Sequence, residues 1–547
     1  MFRTWDHRAG HYLLLVALWA LGCLPNLGGA TLWDIDEGLN SEAAREMVQS
    51  GNYVVPTFNY KLRSAKPVLL YWLQAGSYHL FGVNETAARL PSALAALLAA
   101  LATYELGRAM FGVRAALLAG VVLATSVSVL GAAHFANPDA LLLAFSTLTL
   151  GCYYRYWQTG RFWWVYGAAV ACGLAVLAKG PVGVLLPGAV VFLFLLWQRE
   201  LGRVFDLHLG EALLIFLLVA APWYAWVGVE TKGQFLREFW FTHHLERVDT
   251  PMEKHGGSPF YYVVVLAAGL FPWSIFLGPT AAHAWRRLRQ ADDDRAAVRL
   301  LVLWFVVCFG VFTYARTKLP NYILPLYPAA ALLTAWALER WRAGEFAVPG
   351  WVMGVSLGCL ALAGAGTVAT LLVFAGAVPA QVPFLFPDLL PWAWVGVLPV
   401  TGAAVGGWML AQRRREAFLV AVTAASAGFI ACVTAGVLPA LNDHKASPAL
   451  AGTLPADHEY REVRVGAYCY DRPSMVFYCR REVRRLDVPE QALDFLAGPL
   501  PSYVFVSEAR WPELEEDLPD GSRVVARFPD LYGKGKRVLV VANRAAP

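Results

Sequence analysis

Apolar stretches of about 20 residues follow one another along most of this chain, and a stretch of that length crosses a bilayer as a helix. No other feature limits the fold as much, because a backbone inside lipid must satisfy its own hydrogen bonds. Hydropathy places about thirteen such stretches, near 11–30, 87–107, 115–133, 140–157, 163–178, 181–198, 211–229, 259–279, 300–315, 321–338, 350–376, 391–411 and 417–439. The composition agrees. Of 547 residues, 58% are hydrophobic and only 16% charged, against roughly a quarter charged in ordinary globular domains. The mean hydropathy is +0.47. The first stretch leads straight into further ones and reads as a retained helix rather than a leader. A net charge of +5 is small for this length, and no DNA- or RNA-binding motif is present, so nucleic acid is not an expected partner.

The expected membrane domain covers residues 1–440. Residues 441–547 are polar and mixed, and read as a small α/β domain. Strands are expected at 463–470, 503–507 and 537–542, and helices at 489–496 and 511–518.

Alternate connections are short and rich in arginine: Arg108 and Arg114; Arg155 and Arg161; Arg199 and Arg203; Arg286, Arg287, Arg289, Arg295 and Arg299; Arg340 and Arg342; Arg413, Arg414 and Arg415. The positive-inside rule makes these the cytoplasmic loops. An odd span count then puts the C-terminal domain outside, with the working face on that non-cytoplasmic side. That face holds long loops at 31–86 and 230–258. Every lysine falls on it: Lys61, Lys66, Lys179, Lys232, Lys254, Lys318, Lys445, Lys534 and Lys536. Lysine could simply be rare in an arginine-rich chain. Four of them, however, stand beside Pro or Gly at helix ends, and cations gathered at an interface suit a lipid phosphate.

The first outer loop opens with Trp33-Asp34-Ile35-Asp36-Glu37-Gly38. Acids at a helix start can merely cap N–H groups and complement the dipole, which is the preferred reading for Glu37 and Glu42. Asp36 is the expected functional carboxylate, placed to orient or deprotonate an acceptor or to help hold a divalent ion. Tyr60-Lys61-Leu62-Arg63-Ser64-Ala65-Lys66-Pro67 then reads as a basic segment entering an interfacial helix. The second outer loop carries His243-His244 with Glu246 and Arg247. Adjacent histidines would diverge by about 100° on a helix, which argues against both binding one metal ion.

With these motifs in order, the chain resembles the GT-C glycosyltransferases of the aminoarabinose lipid A transferase (ArnT) and protein mannosyltransferase superfamily. The matching residues are Asp36-Glu37 with Ala44-Arg45-Glu46-Met47, Lys66-Pro67 with Tyr71-Trp72, and Phe81-Gly82 with Ala88-Arg89-Leu90-Pro91. Pro138-Asp139-Ala140, Leu177-Ala178-Lys179-Gly180-Pro181, Pro222-Trp223-Tyr224, His244-Leu245-Glu246-Arg247 and Lys318-Leu319-Pro320-Asn321-Tyr322 continue the match. The resemblance implies a polytopic α-helical membrane protein of GT-C type, with about thirteen transmembrane helices and a C-terminal periplasmic α/β domain. It implies Asp36 as the catalytic aspartate and Lys66 as the lysine on the donor lipid phosphate. Arg247 and Tyr322 would face the same cavity, with Lys318 beside them. Glu37, Arg89, Asp139, Lys179, His243 and His244 would be further cavity positions. Three departures stand out: Leu39 and Asn40 replace an Arg-Tyr pair, Ala65 replaces a Glu, and Arg63 and Ser64 replace aromatics. They leave the sugar and any zinc site open.

The activity this implies is transfer of a sugar, aminoarabinose among the options, from a polyprenyl-phosphate carrier to a lipid or glycolipid acceptor such as lipid A. The rivals are a flippase for lipid-linked sugars, a protein O-mannosyltransferase-like enzyme and a non-catalytic scaffold. Membrane lipids are the remaining expected partners. No cofactor is required by the sequence, and a divalent metal ion stays open. Cys23, Cys152, Cys172, Cys308, Cys359 and Cys432 read as packing residues. Cys469 and Cys479, in the outer domain, are a pair that an oxidising compartment allows to bridge.

Overall fold

The structure is a computed structural model, described for residues 8–245, 257–290, 294–382, 385–457, 462–533 and 537–546. Helix covers every one of the apolar stretches. Among the described residues seven helices are long and apolar enough to cross a membrane, or up to nine if each of two bent pairs is one span. Three shorter apolar helices, Arg8–Cys23, Trp163–Lys179 and Val182–Gln198, accompany them.

Both bent pairs were expected as straight spans. Val113–Ala124 and Val127–Ala133 meet at 60°, and Tyr261–Gly269 and Trp273–Leu288 at 112°. At the first bend the Thr125 and Ser126 hydroxyls donate to the Val121 and Val122 carbonyls, which competes with the backbone ladder. At the second, Pro272 has no N–H to continue the helix. The Trp273 indole donates to Thr125 Oγ1 at 2.8 Å and ties the two bends together.

The segment between the first span and the next is folded. It holds α2 (Asp36–Ser50) after α1 (Arg8–Cys23), then a hairpin of β1 (Thr57–Phe58) and β2 (Lys61–Leu62), then α3 (Leu69–Phe81) and α4 (Glu85–Phe111). The hairpin turns on Asn59 and Tyr60, with φ of 52° and 60°, the left-handed pair that a two-residue turn requires. As expected of an interfacial helix, α3 buries Tyr71, Gln74 and Tyr78 and exposes Leu73, Leu80 and Phe81.

The C-terminal residues build a five-stranded sheet in the order β4-β3-β5-β7-β6. Its strands are β3 (Arg464–Tyr468), β4 (Val483–Leu486), β5 (Ser502–Ser507), β6 (Arg523–Pro529) and β7 (Arg537–Ala542). β3 runs parallel to β4 and β5, and β7 antiparallel to β5 and β6. Along β5, Tyr503 and Phe505 enter one apolar cluster while Val504 and Val506 enter another, the period of two that a sheet covered on both faces demands. One expectation fails. The helix sought at 511–518 is a short 3-10 turn, Glu508–Glu513, with Pro512 inside it. The open question of a Cys469–Cys479 bridge is answered as well: no disulfide joins them, Cys469 being exposed on a left-handed residue and Cys479 buried.

The sheet unit is stitched to the first outer loop. Asn59 Oδ1 accepts from the Val483 amide at 2.9 Å and its Nδ2 donates to the Val483 carbonyl at 2.8 Å. Thr31 donates its amide to Asn442 Oδ1. A Cβ at Gly38 would lie 2.3 Å from the Ser474 nitrogen, so only glycine lets α2 approach the helix Pro473–Cys479 this closely.

Candidate functional site

The three carboxylates of the opening motif have different fates. Asp34 accepts from the Ser474 amide and hydroxyl, both at 2.7 Å; burial pushes its carboxyl up, against the pull of those bonds. Glu37 is fully enclosed and accepts four bonds: from Arg89 Nε at 2.7 Å, Arg89 Nη2 at 2.8 Å, the Trp33 amide at 2.8 Å and the Ala136 amide at 2.8 Å. Asp36 keeps most of its acceptor capacity. It is half-buried, and its one hydrogen-bond partner among the described residues is Asn137 Nδ2 at 3.2 Å. Beside it, Asn137 Oδ1 is buried without a partner among the described residues.

Arg89 and Glu37 therefore correct two expected cavity positions. Arg89 is 1% exposed, and its remaining N–H groups donate to the Leu27, Ala30 and Thr31 carbonyls. All five of its donors are used inside the protein, so it fastens the loop and has nothing left for a ligand. Lys318 is corrected in part. Its ammonium donates to the Thr313 and Ala315 carbonyls at 2.6 and 2.9 Å and sits over the Tyr262 ring. That is a cap on the helix ending at Tyr314, with one of three N–H groups left over.

A second cluster gathers nearby. Asp139, buried at the start of the helix Asp139–Thr159, is ion-paired with Lys179 and accepts from Asn321 Nδ2 at 2.6 Å. Lys179 Nζ lies 4.9 Å from the Tyr322 ring centroid. Three distant segments thus bring a carboxylate, an ammonium, an amide and a phenol together. Asn137 and Asp139, two residues apart, join this cluster to Asp36.

Lys66 is half-buried between β2 and α3. Its segment is fixed on one side by Ser64 Oγ, which donates to Glu238 at 2.6 Å. On the other, Arg63 donates to Tyr71 and Asn40. Glu238 belongs to the helical run Glu238–Leu245, which also holds the backbone of His243 and His244. Arg247, Glu246 and Lys254 lie outside the described residues, as do Lys534 and Lys536. Among the described residues no three His, Cys, Asp or Glu side chains gather as metal ligands. Asn137 was not anticipated and could have been suspected from its place before Pro138-Asp139; Tyr71 stood out only as part of a motif match and Asn40 only as a departure from one, and neither was given a role.

Comparison with known proteins accords with this geometry. Residues 65–226 match the family model for dolichyl-phosphate-mannose-protein mannosyltransferases. The crystal structure of ArnT from Cupriavidus metallidurans, bound to undecaprenyl phosphate, superposes with a TM-score of 0.81 at 25% identity, covering 99% of this chain and 100% of that one. The chain is 30% identical over 396 residues to an undecaprenyl phosphate-α-4-amino-4-deoxy-L-arabinose arabinosyl transferase of Shewanella sediminis, covering 70% of each. It is 31% identical over 335 residues to such a transferase of Pseudomonas fluorescens. There it spans 60% of this chain and little more than half, 56%, of the relative. Fold and site together define an integral membrane protein of the ArnT-like GT-C class. Within that class the chain belongs to the family of the undecaprenyl phosphate-aminoarabinose arabinosyl transferases.

Proposed function

We propose that this protein is a glycosyltransferase that moves a sugar, aminoarabinose or a related one, from a polyprenyl-phosphate carrier to a lipid or glycolipid acceptor of the cell envelope. The observation that carries the reading is the contrast within one motif: Asp34 and Glu37 are consumed by internal bonds, while Asp36 stands half-open beside a buried, unpartnered amide oxygen. Thirteen spans, with the arginine-rich loops in the cytoplasm, put this centre at the periplasmic face of the inner membrane. Residues 1–440 then form the catalytic membrane domain and 441–547 a periplasmic domain covering it.

In this reading the acceptor oxygen attacks the anomeric carbon, the bond from that carbon to the carrier phosphate breaks, and polyprenyl phosphate leaves. Lys66, Lys179 and Tyr322, with Arg247, stabilise the charge that builds on the phosphate. Asp36 orients the acceptor and takes its proton when the acceptor is a hydroxyl. When the acceptor is itself a phosphate, it is already anionic, and orientation is the larger contribution. The relatives' names supply the carrier and the sugar for those proteins, and the family bond supports extending both here.

Lys66→Ala and Asp36→Ala should each lower transfer from undecaprenyl-phosphate-linked sugar by at least about a hundredfold while leaving the protein folded in membranes. Near wild-type turnover in either variant would remove the assignment.

A further inference from the structure

Three arginines are buried among the described residues: Arg45, Arg63 and Arg89. Two of them grip a carboxylate through paired bonds, Arg45 on Glu42 at 2.7 Å twice and Arg89 on Glu37 at 2.7 and 2.8 Å. Arg63, 8% exposed, grips none. Its Nε donates to the Tyr71 hydroxyl at 3.0 Å and its Nη2 to Asn40 Oδ1 at 3.1 Å, and both partners are neutral. Asp36 acts on Tyr71 through its charge but makes no ion pair with Arg63. A guanidinium taken from water without a counter-charge is costly. Its fixed fork of five donors is the shape that holds phosphate, and three of those donors have no partner among the described residues.

Arg63 lines a cleft of about 380 Å³ between the first-loop hairpin and the C-terminal sheet. Asp36, Lys66, Lys179 and Tyr322 are absent from its lining, and so is every residue of a candidate spanning helix. Its other cations are Lys61, Arg472 and Arg485. Arg472 is held by Asp530 at 3.2 Å, and the exposed Arg485 is bonded to Asp487 and paired at 3.7 Å with Asp471, the carboxylate of the lining. Lys61 is exposed and has no ion pair among the described residues. On the opposite wall Met475, Val476 and Val483 form an apolar patch between these charged groups.

We propose that this cleft is an anion-binding subsite, separate from the Lys66 cluster and anchored by Arg63, which takes the phosphorylated saccharide head of the acceptor glycolipid. The choice of acceptor rests on the glycosyl-transfer reading above. A polyprenyl carrier must keep its chain among the spans, whereas this cleft opens between two water-side elements and so suits a sugar phosphate. Arg63 stands between the cleft and Asp36: it lines the one and bonds the Tyr71 that feels the other.

The test uses full-length protein in nanodiscs and four probes: a deacylated, bisphosphorylated glucosamine disaccharide, its dephosphorylated counterpart, undecaprenyl phosphate and inorganic phosphate. The first should bind at least about tenfold more tightly than the second. Arg63→Gln should weaken it by about tenfold or more and Arg63→Lys by less. Lys61→Ser, at an exposed position that the fold does not need, should weaken it about threefold. None of these changes should weaken undecaprenyl phosphate to the same degree. The proposal is overturned if Arg63→Gln and Lys61→Ser leave the disaccharide affinity unchanged. It is equally overturned if both weaken undecaprenyl phosphate as much, or if inorganic phosphate binds as tightly as the disaccharide. Disaccharide binding without any binding of undecaprenyl phosphate would support the cleft and overturn the donor reading.

Discussion

Two ionic centres lie side by side at the same end of the helix bundle and are built from the same residue types. At the Glu37–Arg89 knot every donor and acceptor is consumed, across 52 residues of chain and five backbone groups. Around Asp36 and the neighbouring Arg63 the carboxylate has one long bond and the guanidinium has only neutral partners among the described residues. The contrast teaches that burial and charge do not mark a working residue here. What separates the two centres is spare hydrogen-bonding capacity, which a saturated group lacks and a substrate needs.

The contrast can be broken most forcefully at the knot. Arg89→Met leaves Glu37 buried without its counter-charge, which should cost about 3–5 kcal/mol and appear as loss of monodisperse protein or a large fall in melting temperature. Asp36→Asn, one residue from Glu37, should leave the melting temperature within about 2 °C of wild type. Equal losses in both variants would erase the distinction.

A smaller effect is expected where the two centres are shielded by the C-terminal unit. Gly38→Ala forces a methyl against the Ser474 backbone, an overpacking worth about 1–3 kcal/mol. Limited proteolysis should then cut the loosened sheet unit sooner, with the bundle intact; an unchanged cleavage rate would contradict the close approach.

The smallest effect sharpens the comparison through a third cation. Lys445 is buried over the Trp33 ring, donates to the Thr31 carbonyl at 2.8 Å and has no carboxylate partner among the described residues. Burial pushes its ammonium down from the ordinary 10.5 to about 7. The unfolded chain therefore binds this proton over a range where the folded chain does not. The group costs nothing above about pH 10.5, costs progressively more as pH falls to about 7, and adds no further change below that. In Lys445→Met the melting-temperature difference from wild type should favour the variant most near pH 7 and shrink steadily toward pH 10. Parallel curves would rule this out.

Much of this was legible in the sequence, and what was hidden has physical causes. The apolar stretches announce themselves because lipid leaves a helix no alternative. The two bends do not, since hydroxyls such as Thr125 and Ser126 are equally at home in straight helices. Asp36 and the Asp139–Lys179–Tyr322 cluster could be picked out by motif order. Arg89 could not be told from a ligand-binding arginine, because the carbonyls that saturate it belong to a loop 58 to 62 residues earlier. Lys318 resembles an anion-binding cation until the helix end beneath it is seen. β4 and β6 escaped because Arg484, Arg485, Arg523 and Arg527 interrupt their apolar pattern, as is common on the edges of a sheet.

The stitches from Asn59 to Val483 and from Asp34 to Ser474 join residues separated by 424 and 440 positions. On a ribosome making about 5–20 residues per second, the first of each pair is synthesised on the order of half a minute or more before its mate exists. The nascent chain therefore carries its early loop unfinished until the last seventh of the polypeptide arrives, and only a nearly completed chain can close that loop against the sheet.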